Sequence, residues 1–385
     1  MLHFELYQKV KILYGVGAID QLGALAASMG KQKALMVCGS GTKAAGIADK
    51  IQSILEKVGI SVVVFDESTP DPPIAASEKA FALFRESGCD FVIGVGGGSN
   101  MDCAKGVNIL RFNEPPLIQY ANFGKPFDTG DSLILIPTTA GTGSELSDGA
   151  ILSDENHIKY NFIADGAFTE YTIIDPQLMA GMPASLTAAT GLDALAHAIE
   201  AYTSTLATDY SDFLAEKVID EICTWLPLAI ADGSNMEARR KMAVASDLAG
   251  YLLVAAHTNA GHSIGQTLGG YYKIPHGVAC AYAEPWVMEF NAVACPEKIR
   301  RIGVALGVKF SGNELPEEIG VLVRKAYISF RDDKCQLKSI REFQCDPNDF
   351  DEVAEVCVKE FFQQFNPRRM TKEDCLDVLK KMMEC

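Results

Sequence analysis

Six histidines are spread over 385 residues, and four of them fall between positions 197 and 276. The segment GLDALAHAIEAY, residues 191 to 202, sets His197 four residues after Asp193. That spacing puts both side chains on one face of a helix. Taken alone, the pair is either a buried hydrogen-bonded couple or half of a metal site. His262 in NAGHSIGQ and His276 in KIPHG lie on segments that can fold back toward that helix. Asp193, His197, His262 and His276 would then form a three-nitrogen, one-oxygen set suited to Fe2+ or Zn2+, with a position left for an oxygen ligand. A single carboxylate leaves such an ion with net positive charge, able to polarise an alcohol or carbonyl oxygen. No HExxH of the zinc hydrolases is present here. His157 and His257 have no partner that spacing can place and read as ordinary polar residues. Glu200, three residues after His197, reads as a local helical pair.

A second group of residues suits phosphate. In GVGGGSNMDCAKG a strand ends at Val95, and Gly96, Gly97 and Gly98 let the backbone approach a ligand closely. Ser99 with Asp102 three residues on reads as a capping box at the start of a helix. Such an N-terminus faces an anion, ideally a pyrophosphate. The loop is neither GxGxxG nor GxxxxGK[ST], which weighs against an ATPase. PTTAGTGSE (137–145) adds Thr138, Thr139, Thr142 and Ser144, whose hydroxyls suit a nicotinamide ribose or phosphate, or simply turn hydrogen bonds. Many dinucleotide folds place a carboxylate near the end of an early strand to hold the ribose 2′-hydroxyl. Here KALMVC runs into Gly39, Ser40, Gly41, Thr42 and Lys43 with no acid. That stretch favours NADP(H) over NAD(H).

The elements that must position these residues follow from hydrophobic patterning. Residues 33–39, 61–67, 90–98 and 131–137 read as strands, with helical patterns between them such as 44–59 and 76–88. Strands alternating with helices imply right-handed crossovers and a parallel, helix-covered sheet that binds ligands at its carboxyl edge. From about residue 181 long helical patterns replace strands. The fold class expected is therefore α/β plus all-α: a Rossmann-like parallel-sheet domain over 1–180 and a helical domain over 181–385, with a ligand cleft between them. The helical patterns cover 185–204, 208–233 and, as one run, 235–270.

Composition narrows the partners. Apolar residues make up 48% and charged residues 22%, as in ordinary folded domains. With 34 basic against 50 acidic residues, the formal charge of −16 disfavours nucleic acid and anionic membranes. No secretory leader or membrane-length apolar run is apparent. Eleven cysteines without a CxxC pair read as reduced cytoplasmic thiols, with Cys385 a site of adventitious oxidation.

With these segments assembled, the chain resembles the iron-containing, or group III, alcohol dehydrogenases. GGGSNMDCAK, PTTAGTGSE, IIDP (173–176), GLDALAHAIEAY and the GH and PHG pieces at 261–262 and 275–277 carry the resemblance, in order, to about residue 290. It implies the two-domain dehydroquinate synthase-like scaffold, with cofactor and metal between the domains. It implies that Asp193, His197, His262 and His276 hold the metal and serve catalysis. Gly97, Gly98 and Ser99 would hold the pyrophosphate, Asp102 would help position the cofactor, and Thr138, Thr139 and Thr142 would lie along it. Gly39 and Ser40 would flank the adenosine ribose, and Lys159 would stand near the nicotinamide ribose.

The chain departs from the family in two places. Many relatives carry a histidine where this chain has Gln266, and NAD-preferring relatives often carry aspartate at Gly39. His257, five residues before His262, cannot replace the missing imidazole if both share one helix, because it would point about 140° away. The implied reaction is hydride transfer between NAD(P)(H) and a short-to-medium aliphatic alcohol or aldehyde. Gly149 and Ala150 are expected to widen the substrate pocket toward butanol-like chains. A glycerol- or diol-type dehydrogenase on the same scaffold, and a non-catalytic metal-binding protein, are the competing expectations. The family also implies a homodimer or higher homo-oligomer, with a strand around Phe4 to Val10 at the contact.

Overall fold

The computed structural model describes residues 8–128, 130–156, 158–164 and 167–384. They divide into two compact units, Met1–Gly181 and Met182–Cys385. Among its described residues the N-terminal unit has eight strands: β1 Lys11–Tyr14, β2 Lys33–Cys38, β3 Ser61–Phe65, β4 Phe91–Gly96, β5 Leu133–Pro137, β6 Gly149–Ser153, β7 Lys159–Ile163 and β8 Tyr171–Ile174. Its helices are α1 Leu22–Ser28, α2 Ser40–Ala44, α3 Ile47–Glu56, α4 Ile74–Glu86 and α5 Gly98–Phe112. Six strands form one parallel sheet in the order β1-β8-β5-β4-β2-β3.

Alternate residues of the strands feed opposite faces, as the two-residue period of a strand requires. Ala34, Met36, Phe91, Ile93 and Ile134 pack with Leu22 and Ala26 of α1 and Ile51 and Leu55 of α3. Leu35, Val37, Val92, Leu133 and Leu135 pack with Ala80 of α4 and Met101, Ala104 and Val107 of α5. Burial on both faces explains why these strands read as continuous apolar runs. The sheet order reverses between β2 and β4, so the turns carrying Gly39 and Gly97 follow adjacent strands at the switch point where such sheets bind ligands.

The hairpin β6–β7 is antiparallel and separate from the main sheet. Hydrophobic patterning did not reveal it. Ala150 on β6 is buried in a cluster with Ile109, Leu110, Leu117, Leu152 and Phe162. Its small side chain fits that core rather than a substrate pocket, which corrects the butanol argument. The strand expected over Phe4 to Val10 lies mostly outside the described residues; the first described strand begins at Lys11. His157 and Cys385 also lie outside them.

The C-terminal unit consists of α6 Ala184–Thr203, α7 Asp209–Ala231, α8 Met236–Ala255, α9 Ala260–Tyr272, α10 His276–Asn291, α11 Pro296–Ala305, α12 Pro316–Ser329, α13 Phe350–Lys359 and α14 Lys372–Glu384. From Gly191 to Thr203 every residue of α6 is buried. A helix that small and apolar all round can only be a central one. Its N-terminal end is anchored by the buried Arg239 of α8, which donates to Thr187 Oγ1 (2.9 Å) and to the Met182 carbonyl (3.2 Å).

The helical run expected over 235–270 is broken. His257 adopts a left-handed φ of 58°, and the Asn259 side chain accepts the Ala260 N–H (2.7 Å) as α9 starts. The ideal-helix angle between His257 and His262 therefore does not apply. The His257 ring stacks on Phe365 instead, with centroids 4.8 Å apart. Among the described residues no helix is long and apolar enough to cross a membrane.

Candidate active site

In the C-terminal unit α6 supplies Asp193, His197 and Glu200, α9 supplies His262, and α10 supplies His276 and Cys280. Gly277 lets the start of α10 come against α6: a Cβ there would run into the Ala189 carbonyl and sit 3.1 Å from Asp193 Cβ. Asp193 Oδ1 lies 3.7 Å from His262 Nε2 and 3.7 Å from His276 Nε2. One donor atom each from Asp193, His262, His276 and Cys280 falls within 4.8 Å of all the others. His197 stacks its ring on His262 at 4.5 Å, beside this group. Three of the four expected ligands thus share one pocket, with a thiol as the fourth member and His197 packed against it.

Glu200 is the residue whose role the sequence misassigned. It is no mere local partner of His197. Fully buried, it reaches across to the start of α9 and accepts the N–H groups of Asn259 (2.7 Å) and His262 (3.1 Å). Its Oε1 also lies 2.5 Å from His262 Nδ1. A proton on Nδ1 held by this carboxylate leaves Nε2 as the atom free to ligate, the arrangement common behind metal-bound histidines. His262 is 3% exposed, and its Nε2 has no hydrogen-bond partner among the described residues. Burial opposes a charged imidazole, yet the charges of Cys280 and Glu200 outweigh it and hold the His262 pKa well above its ordinary value. The orphaned Nε2 beside the Asp193 carboxylate, with His276 and Cys280 converging on the same point, makes a donor set that fits a divalent cation. Burial pushes the Cys280 thiol up to about 11. Burial and then the charge of Glu200 raise the Glu284 carboxyl far above the usual range, so it stays neutral beside its neighbour.

In the N-terminal unit the glycine loop differs from its expected cap. Gly97 occupies the N-cap of α5 and no side chain caps that end; the Asn100 N–H turns back to the Gly97 carbonyl (3.0 Å), which leaves the N–H groups of Gly98 and Ser99 to face an anion. Ser99 lies inside the first turn rather than at the cap. Asp102 turns into the protein, where its oxygens accept Ser144 Oγ–H (2.6 Å) and the Ile151 N–H (3.0 Å). It acts on the threonine loop rather than on the helix end.

Gly98 is a true close approach. A Cβ there would lie 2.7 Å from Thr142 Cγ2, so the loop of Thr139 and Thr142 seats directly over the glycines. The Thr138 N–H donates to the Gly96 carbonyl (2.9 Å). Beneath this loop the buried Lys105 donates to the carbonyls of Ser144 (2.7 Å), Ser147 (3.0 Å) and Gly149 (2.6 Å). Burial raises the Glu145 carboxyl to about 7 despite that ammonium.

Gly39 caps α2, with Ser40 its exposed first residue. Asn100 ties this turn to the glycine loop by donating to the Val95 carbonyl (3.0 Å) and Thr42 Oγ1 (3.5 Å). Lys43 is ion-paired with Asp66, just beyond β3. Lys159 opens β7 and pairs with Asp71 at 2.9 Å.

Two family models match the chain: iron-containing alcohol dehydrogenase over residues 9–176, and the C-terminal part of the Fe-containing alcohol dehydrogenase family over residues 187–383. The chain belongs to the iron-containing alcohol dehydrogenase family. A choline dehydrogenase of Bacillus subtilis is 35% identical over 374 residues, 96% of this chain and 92% of that protein. A 1,3-propanediol dehydrogenase of Klebsiella pneumoniae is 34% identical over 375 residues, 96% of each. The crystal structure of a 1,3-propanediol oxidoreductase aligns with a TM-score of 0.92 at 33% identity, covering 99% of this chain and 100% of that one. As a family member the chain is an alcohol dehydrogenase, and membership implies Fe2+ and a nicotinamide cofactor.

Sequence reasoning misassigned Glu200 and missed the placement of Cys280 and Lys105. The signal for Cys280 was available, since it follows His276 by the same four residues that separate Asp193 from His197. Glu200 needed the fold, because its partner lies 62 residues away.

Proposed function

We propose that the chain catalyses reversible hydride transfer between NADP(H) and a short-to-medium aliphatic alcohol, diol or the corresponding aldehyde. Asp193, His197, His262 and His276 would hold the divalent ion, Fe2+ or Zn2+. When bound, that ion supplies Lewis-acid polarisation of the reacting oxygen, and the nicotinamide supplies or accepts the hydride. The observation that carries the reading is the buried His262 Nε2, without a hydrogen-bond partner among the described residues, facing Asp193 Oδ1 at 3.7 Å, with His276 at the same distance from that carboxylate.

The rest of the work belongs to the chain. Glu200 fixes the His262 ring, and the 30% exposure of the His276 side chain makes it the ligand nearest solvent. Gly97, Gly98 and Ser99 would take the pyrophosphate, with Thr138, Thr139 and Thr142 along the dinucleotide. Lys105 and Asp102 keep that loop in place. Gln266, one turn after His262 on α9, cannot shuttle a proton as an imidazole does, so proton exchange passes to water or cofactor hydroxyls. NADP(H) is favoured because Gly39 and Ser40 bring no carboxylate and Lys43 stands nearby; Asp66 is the acid a 2′-phosphate would compete with for that lysine. A homodimer or higher homo-oligomer is the proposed assembly, supported by the edge position of β1 and its exposed Ile12 and Tyr14. All ten described cysteines are free of disulfides, in keeping with a cytoplasmic site.

The test is metal removal and reconstitution, followed by a panel of 1-butanol, 1,3-propanediol, choline and their aldehydes with each cofactor. Turnover should vanish with the metal and return with it, and His262→Ala should neither retain metal nor turn over. A metal-free preparation with full activity would overturn the assignment.

A further inference from the structure

We propose that Cys280 is a thiolate donor to the divalent ion, giving this chain a mixed sulfur, nitrogen and oxygen site that prefers Zn2+ or Co2+ to Fe2+. The inference rests on the ion site proposed above and adds a donor to it. Cys280 lies one turn after His276 on α10, on the same helical face. Its Sγ is 3.7 Å from His276 Nε2 and 3.8 Å from Nδ1. Ligands at ordinary Zn–S and Zn–N bond lengths are about 3.3 to 3.6 Å apart, so the Cys280–His276 pair needs little closing, while the group as a whole, spanning up to 4.8 Å, would draw in around an ion.

Two further observations separate this thiol from the others. Ten cysteines are described, and only Cys280 joins a group of three other possible ligands. The same pocket holds the buried Nε2 of His262, which has no hydrogen-bond partner among the described residues. Thiolate is a soft donor and shifts preference from Fe2+ toward Zn2+. On ligation the thiol proton leaves to solvent. The carboxylate and thiolate together would neutralise the divalent charge, so this site would polarise oxygen less than one with a single anionic donor.

The full chain loaded with one equivalent of Co2+ reports directly on sulfur ligation, through the near-ultraviolet thiolate-to-cobalt charge-transfer band. The wild type should show that band, and Cys280→Ser should bind Co2+ and lose it. Stoichiometric Co2+ binding by the wild type without the band would overturn the thiolate while leaving the ion site standing. A band that survives in Cys280→Ser would assign the sulfur to another cysteine and equally overturn it. Failure of the wild type to bind Co2+ at all would overturn both readings. Should Cys280→Ser fail to fold, Cys280→Ala carries the same readout, with the band expected to be lost and its survival overturning the assignment.

Discussion

Replacing Glu200 with glutamine is the most informative single change, because that carboxylate joins the fold of the helical unit to its metal chemistry. Glu200 is fully buried and receives two backbone N–H groups and faces His262 Nδ1, at distances from 2.5 to 3.1 Å. Glutamine keeps the shape but offers one acceptor oxygen, and its amide turns a donor toward donors. At least one hydrogen bond to a buried anion is lost and an N–H is left unpaired, a cost of about 3 kcal/mol. The same change frees the His262 ring, and loss of such an outer partner weakens metal binding by about 10- to 100-fold. Competition against a chromophoric chelator gives the metal affinity, and calorimetric unfolding of the same samples gives the stability. Glu284→Gln is the matched control. Glu284 is already held neutral, so glutamine imitates its native state and should cost less than about 1 kcal/mol. Unchanged metal affinity and unfolding in Glu200→Gln would refute the assigned role.

Two more expectations concern the N-terminal unit. Asp66→Asn should release Lys43 for a 2′-phosphate and lower the KM for NADP+ by about fivefold while leaving that for NAD+ nearly unchanged; steady-state kinetics with both cofactors would show equal effects if the turn does not read the phosphate. Aspartate at Gly39 is a poorer probe, since a Cβ there would already press on the Ser68 carbonyl at 2.9 Å and Asn100 Oδ1 at 3.0 Å. Glu145 has its folded pKa raised from 4.5 to about 7, so its stabilising contribution is present below the unfolded value and lost as pH rises through the folded one. Glu145→Gln should therefore gain on the wild type by up to about 3 kcal/mol between pH 4.5 and 7, measured as the difference in thermal unfolding; a difference flat with pH would contradict the burial argument.

The central strands β2, β4 and β5 were legible because they are buried on both faces and read as unbroken apolar runs. The hairpin of β6 and β7 was not, since its alternation is short and Lys105, which holds its first residue, lies in a distant helix. The Ser99 capping box looked right in spacing, but Gly97 takes the cap and the Ser144 hydroxyl claims Asp102. In the helical unit the residues that come together, Asp193, His262 and His276, were readable from residue type. The break near His257 and the reach of Glu200 to α9 were not, because both depend on contacts that only the folded helices create.

On the proposed function, Asp193, His262 and His276, with His197 beside them, would hold a divalent ion in the helical unit. An anomalous-difference map collected at the absorption edge of the metal found in the active protein tests this directly. A peak is expected between Asp193, His262 and His276. A peak elsewhere, or no peak there in crystals of protein that turns over alcohol, would contradict it.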